Sequence, residues 1–209
     1  MPRKNGSIKT SSDLWVRYEE VHFTLFQQAL QMIEIDDFQR NNEDAISESL
    51  NPIFRKLCFQ DKEKEIKNPI WEAPNQSATE EDCMGGKKRK RPDFTCSCVD
   101  RSAESPETYE ICLHVECKRL GKGLNGNYVK EGIQSFDSCK HKYGFRAPSG
   151  MMVGYMINIE QSKILQDVNN HIIDGKPELN FVFSQKVVSC KQAFSRKYVK
   201  PEEFRLVHL

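Results

Sequence analysis

Apolar residues recur at helical spacing over the first sixty positions and at strand spacing around position 115. Leu14, Val21, Leu25, Leu30 and Ile33 suit a packed, mostly buried helix from Asp13, its N-cap, to about Glu34. Ile46, Leu50, Ile53, Phe54 and Leu57 step by three and four residues and predict a second helix capped by Asn42, which Pro52 is expected to kink or split. The period then becomes two. In EICLHVECK, residues 110–118, Ile111, Leu113, Val115 and Cys117 share one face, and Cys112, His114, Glu116 and Lys118 share the other. That is a strand with core on one side and something polar on the other. RPDFTCSCV, residues 91–99, suits a second strand, and DRSAESPET between them makes the pair an antiparallel hairpin. A helix follows from about Tyr128 to Lys142, with Val129, Ile133, Phe136 and Cys139 inward and Lys130, Gln134, Asp137 and His141 along the opposite edge. MMVGYMI, residues 151–157, reads as a short buried strand. A helix near 161–172 and strands near 181–188 and 204–209 complete an α/β pattern.

The segment 61–91 turns polar, with Pro69, Pro74, Gly85 and Gly86 ahead of five basic residues, and predicts a long, mobile loop. Residues 1–12 are expected to form a flexible arm and 13–209 a single domain, since 209 residues suit one substantial core. No run approaches the roughly 20 apolar residues of a membrane helix, so no membrane partner is expected. The basic N-terminus is not followed by an apolar stretch, which predicts an intracellular, cytoplasmic protein rather than a secreted one. Several of the eight cysteines lie inside alternating apolar runs, favouring reduced thiols over a disulfide scaffold. Cys96, Cys98, Cys112 and Cys117 lack any CxxC pair, which weighs against zinc.

A formal net charge of +1 is too balanced for a chain that coats nucleic acid with its whole surface, so any such contact is local. Lys87, Lys88, Arg89, Lys90 and Arg91 are the candidates for DNA contact. A nuclear address, for a eukaryotic chain, or a solvated tail are the other readings of that run. Beside it, Asp93 lies at the open end of the hairpin, where Glu116 and Lys118 can meet it. Two carboxylates and a backbone carbonyl, that of Cys117, are the hard oxygen donors that Mg²⁺ prefers. Lys118 can position or help deprotonate a water, or neutralise charge on a phosphorus centre. A strand with glutamate and lysine outward is also, commonly, a solvated face.

RPDF followed by HVECKRLG, with a hairpin between and a helix after, resembles the signature of the PD-(D/E)xK nuclease superfamily over about residues 40–158. The resemblance implies a restriction-endonuclease-like mixed β-sheet flanked by helices. It implies Asp93 and Glu116 as ligands of Mg²⁺, for which Mn²⁺ can substitute, and Lys118 as the residue assisting the nucleophilic water. Members often add an acid from the preceding helix. Glu43 shares the inward stripe of Ile46 and Leu50, whereas Glu48 falls off it. Members also often carry a glutamine on the following helix, a place Gln134 matches. The implied activity is Mg²⁺-dependent endonucleolytic cleavage of DNA by direct water attack, suited to restriction or host defence, with homodimers a common way of cutting both strands. The alternatives are a non-catalytic nucleic-acid-binding or interaction protein on the same fold. His114 is expected to be a structural histidine, Phe136, Tyr143 and Phe145 core, and Arg119 and Lys122 solvated.

Overall fold

Helix α1 spans Ser11–Met32 and α2 spans Glu43–Lys64. The computed structural model describes residues 11–34, 42–64, 75–76, 92–99, 110–138, 141, 143–156, 160–172, 176–179 and 189–209. Helix α1 begins two residues before the expected cap at Asp13, inside the expected arm. The cap of α2 is as expected: Asn42 Oδ1 accepts hydrogen bonds from the backbone N–H groups of Asp44 at 3.1 Å and Ala45 at 3.3 Å. Pro52 sits inside α2 without ending it. Leu50 and Phe54 on either side are fully buried, and this packing offsets the one backbone hydrogen bond that proline removes. Helix α2 runs on to Lys64, into the segment expected to be loop.

Among the described residues six strands form one mixed sheet: β1 (Asn75–Gln76), β2 (Phe94–Val99), β3 (Glu110–Leu120), β4 (Ser149–Met156), β5 (Cys190–Ser195) and β6 (Glu203–His208), in the order β1-β2-β3-β4-β6-β5. The expected hairpin is present, with β2 antiparallel to β3. Strands β3, β4 and β6 run parallel, and β5 closes the far edge antiparallel to β6. The alternating pattern did not announce β5, because one of its inward positions is Gln192, whose amide donates to the Pro177 carbonyl at 2.5 Å. The strand expected near 181–188 and the basic run 87–91 lie outside the described residues.

The helical segment between β3 and β4 departs most from expectation. One α-helical turn (Asn125–Asn127) passes into a π-helical turn (Tyr128–Gly132) and then a 3₁₀ turn (Ile133–Asp137), together called α3 here. Without a uniform period the expected edge of Lys130, Gln134, Asp137 and His141 does not form. Asp137 instead accepts from the backbone N–H of Lys197 at 2.7 Å and Tyr198 at 3.2 Å, and pairs with Lys176 at 3.1 Å.

The sheet is packed on both faces. Phe26, Leu50 and Phe54 from α1 and α2 meet Phe94, Leu113, Val115 and Cys117. Tyr128, Ile133 and Phe136 of α3, with Ile164 and Val168 of α4 (Gln161–His171), meet Met152, Phe204 and Leu206. Two polar contacts fix α1 to the sheet: Trp15 Nε1–H donates to Ser149 Oγ at 2.8 Å, and Arg205 grips Glu19 through Nε at 3.0 Å and Nη2 at 2.5 Å. Phe136 and Tyr143 are core as expected, but Phe145 is exposed, with the Arg146 guanidinium 5.1 Å from its ring centre. Among the described residues no helix is long and apolar enough to cross a membrane.

Two buried histidines make the fold acid-sensitive. Burial holds His22 down to about 4, against the raising effect of its hydrogen bond to the Tyr18 carbonyl, and holds His208 down to about 3. The unfolded chain takes up a proton at each near pH 6.5 while the fold does not, so stability falls as the pH drops below about 6.5. Each histidine contributes a slope of about 1.4 kcal/mol per pH unit down to its folded value. Urea midpoints measured from pH 7 to pH 5 are expected to fall, and His208→Phe to remove its share of the slope; an unchanged slope in that variant contradicts the assignment.

Candidate active site

Strand β2 ends at Phe94, opposite Val115, while β3 continues to Leu120. The ladder stops there because Pro92 has no N–H to offer and Asp93 has already left the strand. On an antiparallel edge alternate residues direct their N–H toward the missing neighbour, so Cys117 and Arg119 follow Val115 in needing an acceptor there. Two carboxylates supply it. Cys117 N–H donates to Asp93 Oδ2 at 2.7 Å, and Arg119 N–H donates to Glu43 Oε2 at 2.9 Å. Glu43 reaches the notch because it is the first residue of α2, directly after the Asn42 cap.

Lys118 fills the centre of this notch. Its ammonium donates to Glu43 Oε1 at 2.8 Å and to the Cys117 carbonyl at 2.7 Å, and pairs with Glu116 Oε1 at 2.8 Å. Three acceptors match the three donors of an ammonium. The Glu116 side chain is 1% exposed and that of Lys118 8%. This rules out a solvated strand face for the pair. α3 covers the lysine stem: a Cβ placed at Gly132 would lie 3.6 Å from Lys118 Cγ and 2.3 Å from Met152 Cε. A larger residue there would require the Met152 side chain to shift.

The electrostatics follow from burial and crowding. Burial works against the charged Lys118, but the Glu116 carboxylate, Glu43 and Asp93 outweigh it and hold the lysine above its ordinary value. In this arrangement it is an ammonium, a donor and a positive charge. Burial pushes Asp93 upward, opposed by its hydrogen bond from Cys117 and by Lys118, and assisted by Glu43 and Asp44. The Cys117 thiol points to the opposite, apolar face, where burial and then Asp93 push it well up, so it stays protonated and unreactive.

Four of the expected site residues thus come together: Glu43, Asp93, Glu116 and Lys118, with the Cys117 carbonyl. Glu48 is exposed, off the inward stripe. Gln134 lies in the 3₁₀ turn of α3, and its Nε2 is buried with no hydrogen-bond partner among the described residues. His114 is structural, its Nδ1 accepting from Gly144 N–H at 2.9 Å and its ring edge-on to Tyr143. Arg119 is half-buried and Lys122 exposed. Sequence reasoning overlooked Asp44, whose only signal was its place in the first turn of α2, and Gly132, whose role depends on how closely α3 approaches β3. Among the described residues no three His, Cys, Asp or Glu side chains are gathered to hold a metal ion as they stand; Glu43 and Glu116 are drawn onto Lys118.

No protein-family model matches the chain, and no curated protein or solved structure is significantly similar to it.

Proposed function

We propose that this notch is the active site of a metal-dependent nuclease that hydrolyses phosphodiester bonds of DNA. The observation that carries the proposal is the convergence of Glu43, Asp93, Glu116 and Lys118, from a helix and two strands, where β2 leaves β3. The donor set fits Mg²⁺ or Mn²⁺: three carboxylates and a backbone carbonyl are hard oxygen ligands, and one ammonium leaves them with excess negative charge. Asp93, Glu116 and the Cys117 carbonyl would hold the ion, with Glu43 at their side. When bound, it supplies Lewis-acid polarisation of a phosphate oxygen and a more acidic water. Lys118 would position the attacking water or offset negative charge on the phosphate in the transition state. The alternative, an ion-pair cluster that only holds α2 against β3, draws on the same closed geometry.

The test is incubation of plasmid, linear duplex, single-stranded DNA and RNA with the protein and Mg²⁺ or Mn²⁺, with a chelator as control. Cleavage of DNA that the chelator stops is expected; every nucleic acid left intact with both ions contradicts the proposal. Lys87 to Arg91 precede Pro92 directly, so cations there lie within a few residues of Asp93. Replacing all five with glutamine is expected to weaken DNA binding and lower its salt slope by up to about 4, while leaving the thermal melt unchanged. An unchanged slope returns the run to the address or tail reading. A host-defence role and paired copies for double-strand cutting belong to the same proposal, and sizing the protein with and without DNA checks the pairing.

A further inference from the structure

We propose that Lys118 is a resident counter-ion: in the metal-free protein its ammonium occupies the position between Glu43, Glu116 and the Cys117 carbonyl that a divalent cation takes over, and the lysine must withdraw for the ion to enter. This rests on the nuclease proposal and adds a two-position lysine to it.

The contacts of the ammonium support this directly. All three of its partners, at 2.8, 2.8 and 2.7 Å, are oxygens of the hard-ligand set. Glu116 is almost wholly removed from water, so the metal-free fold needs a positive charge beside it; a buried carboxylate without one is strongly destabilising. Asp93 forms no ion pair with the lysine and is instead held by Cys117 N–H, which leaves this half-buried carboxylate facing the notch as the first ligand an arriving ion meets. The four-carbon stem, lying along Gly132, lets the ammonium move while the β3 backbone stays paired with β4. An ion therefore binds only the open fraction of molecules, and its apparent affinity is reduced by that fraction. Once withdrawn, the ammonium is free to meet a phosphate, so one side chain neutralises the carboxylates at rest and the substrate in the loaded enzyme.

The first test uses the full wild-type chain, ¹⁵N-labelled at lysine. A slowly exchanging Lys118 ammonium resonance is expected without metal, identified by its loss in Lys118→Arg, and it is expected to disappear or shift as Mg²⁺ saturates the protein. Calorimetric Mg²⁺ binding with the resonance unmoved overturns the proposal. The second test is Lys118→Met, which has no ammonium to displace: about tenfold tighter Mn²⁺ binding than wild type is expected. Equal or weaker binding in a folded Lys118→Met overturns the proposal, and if that variant does not fold, the wild-type resonance decides. Where ions bind and DNA is cut while the ammonium stays in place, only this inference fails. Where neither ion binds and no DNA is cut, the nuclease proposal fails with it.

Discussion

DNA cleavage is expected to fall by about a thousandfold or more in Lys118→Ala and in Asp93→Asn, because each removes a charge placed where phosphate charge or a metal ion is stabilised. The two variants differ in what they do to the fold. Lys118→Ala deprives the buried Glu116 and Glu43 of their shared cation, so its stability drops as well. Asp93→Asn is the cleaner probe. An asparagine carbonyl still accepts the Cys117 N–H bond, now made at 2.7 Å, so the end of the β2–β3 ladder survives while the negative charge is lost. Lys118→Arg is not expected to rescue the rate, since a planar guanidinium on a longer stem does not take the place of a compact ammonium. Initial rates on supercoiled plasmid, with circular dichroism to confirm folding, check this. Wild-type rates in a folded Asp93→Asn contradict the assigned role.

The largest effect on stability is expected at Arg196, far from the notch. Its guanidinium is buried and donates to five carbonyls: Pro201 through Nε at 2.9 Å and Nη2 at 2.7 Å, Phe136, Tyr143 and Gly144 through Nη1 at 3.4, 3.3 and 3.1 Å, and Ala147 through Nη2 at 3.3 Å. It also stacks 3.9 Å from the Phe204 ring centre. Burial lowers it to about 10, partly countered by Asp137, so it remains charged at neutral pH. One side chain thereby ties the end of α3, the turn before β4 and the β5–β6 connection. Gly144 closes against it with φ near 67°, a conformation that suits glycine. Arg196→Met leaves these carbonyls without their donor and is expected to cost at least about 3 kcal/mol, and Arg196→Lys to recover little of it. Urea denaturation measures this, and a loss below about 1 kcal/mol contradicts the staple.

The notch was legible in the sequence because it depends on short-range rules. Period-two alternation through Glu116 and Lys118 and a turn-rich connection back to Asp93 follow from spacing, Glu43 came from the resemblance and its place on the stripe of Ile46 and Leu50, and the structure brings these residues together. Burial of the Glu116 face was not legible, since alternation gives a polar face but not whether a helix covers it. That cover is supplied by α3, whose change from α to π to 3₁₀ geometry has no signature in the apolar spacing. The role of Arg196 was not legible, because its partners are backbone carbonyls that carry no side-chain signature. Strand β5 was hidden by an inward glutamine whose amide finds a partner 15 residues away.

Diffraction from crystals of the protein soaked with Mn²⁺, read at the manganese anomalous edge, tests most directly whether the notch is a catalytic metal centre. An ion is expected at the carboxylates of Asp93 and Glu116 and the Cys117 carbonyl, with the Lys118 ammonium displaced from Glu116. Saturating Mn²⁺ with no anomalous density at the notch, and Lys118 still bridging Glu43 and Glu116, would contradict a metal-dependent nuclease site.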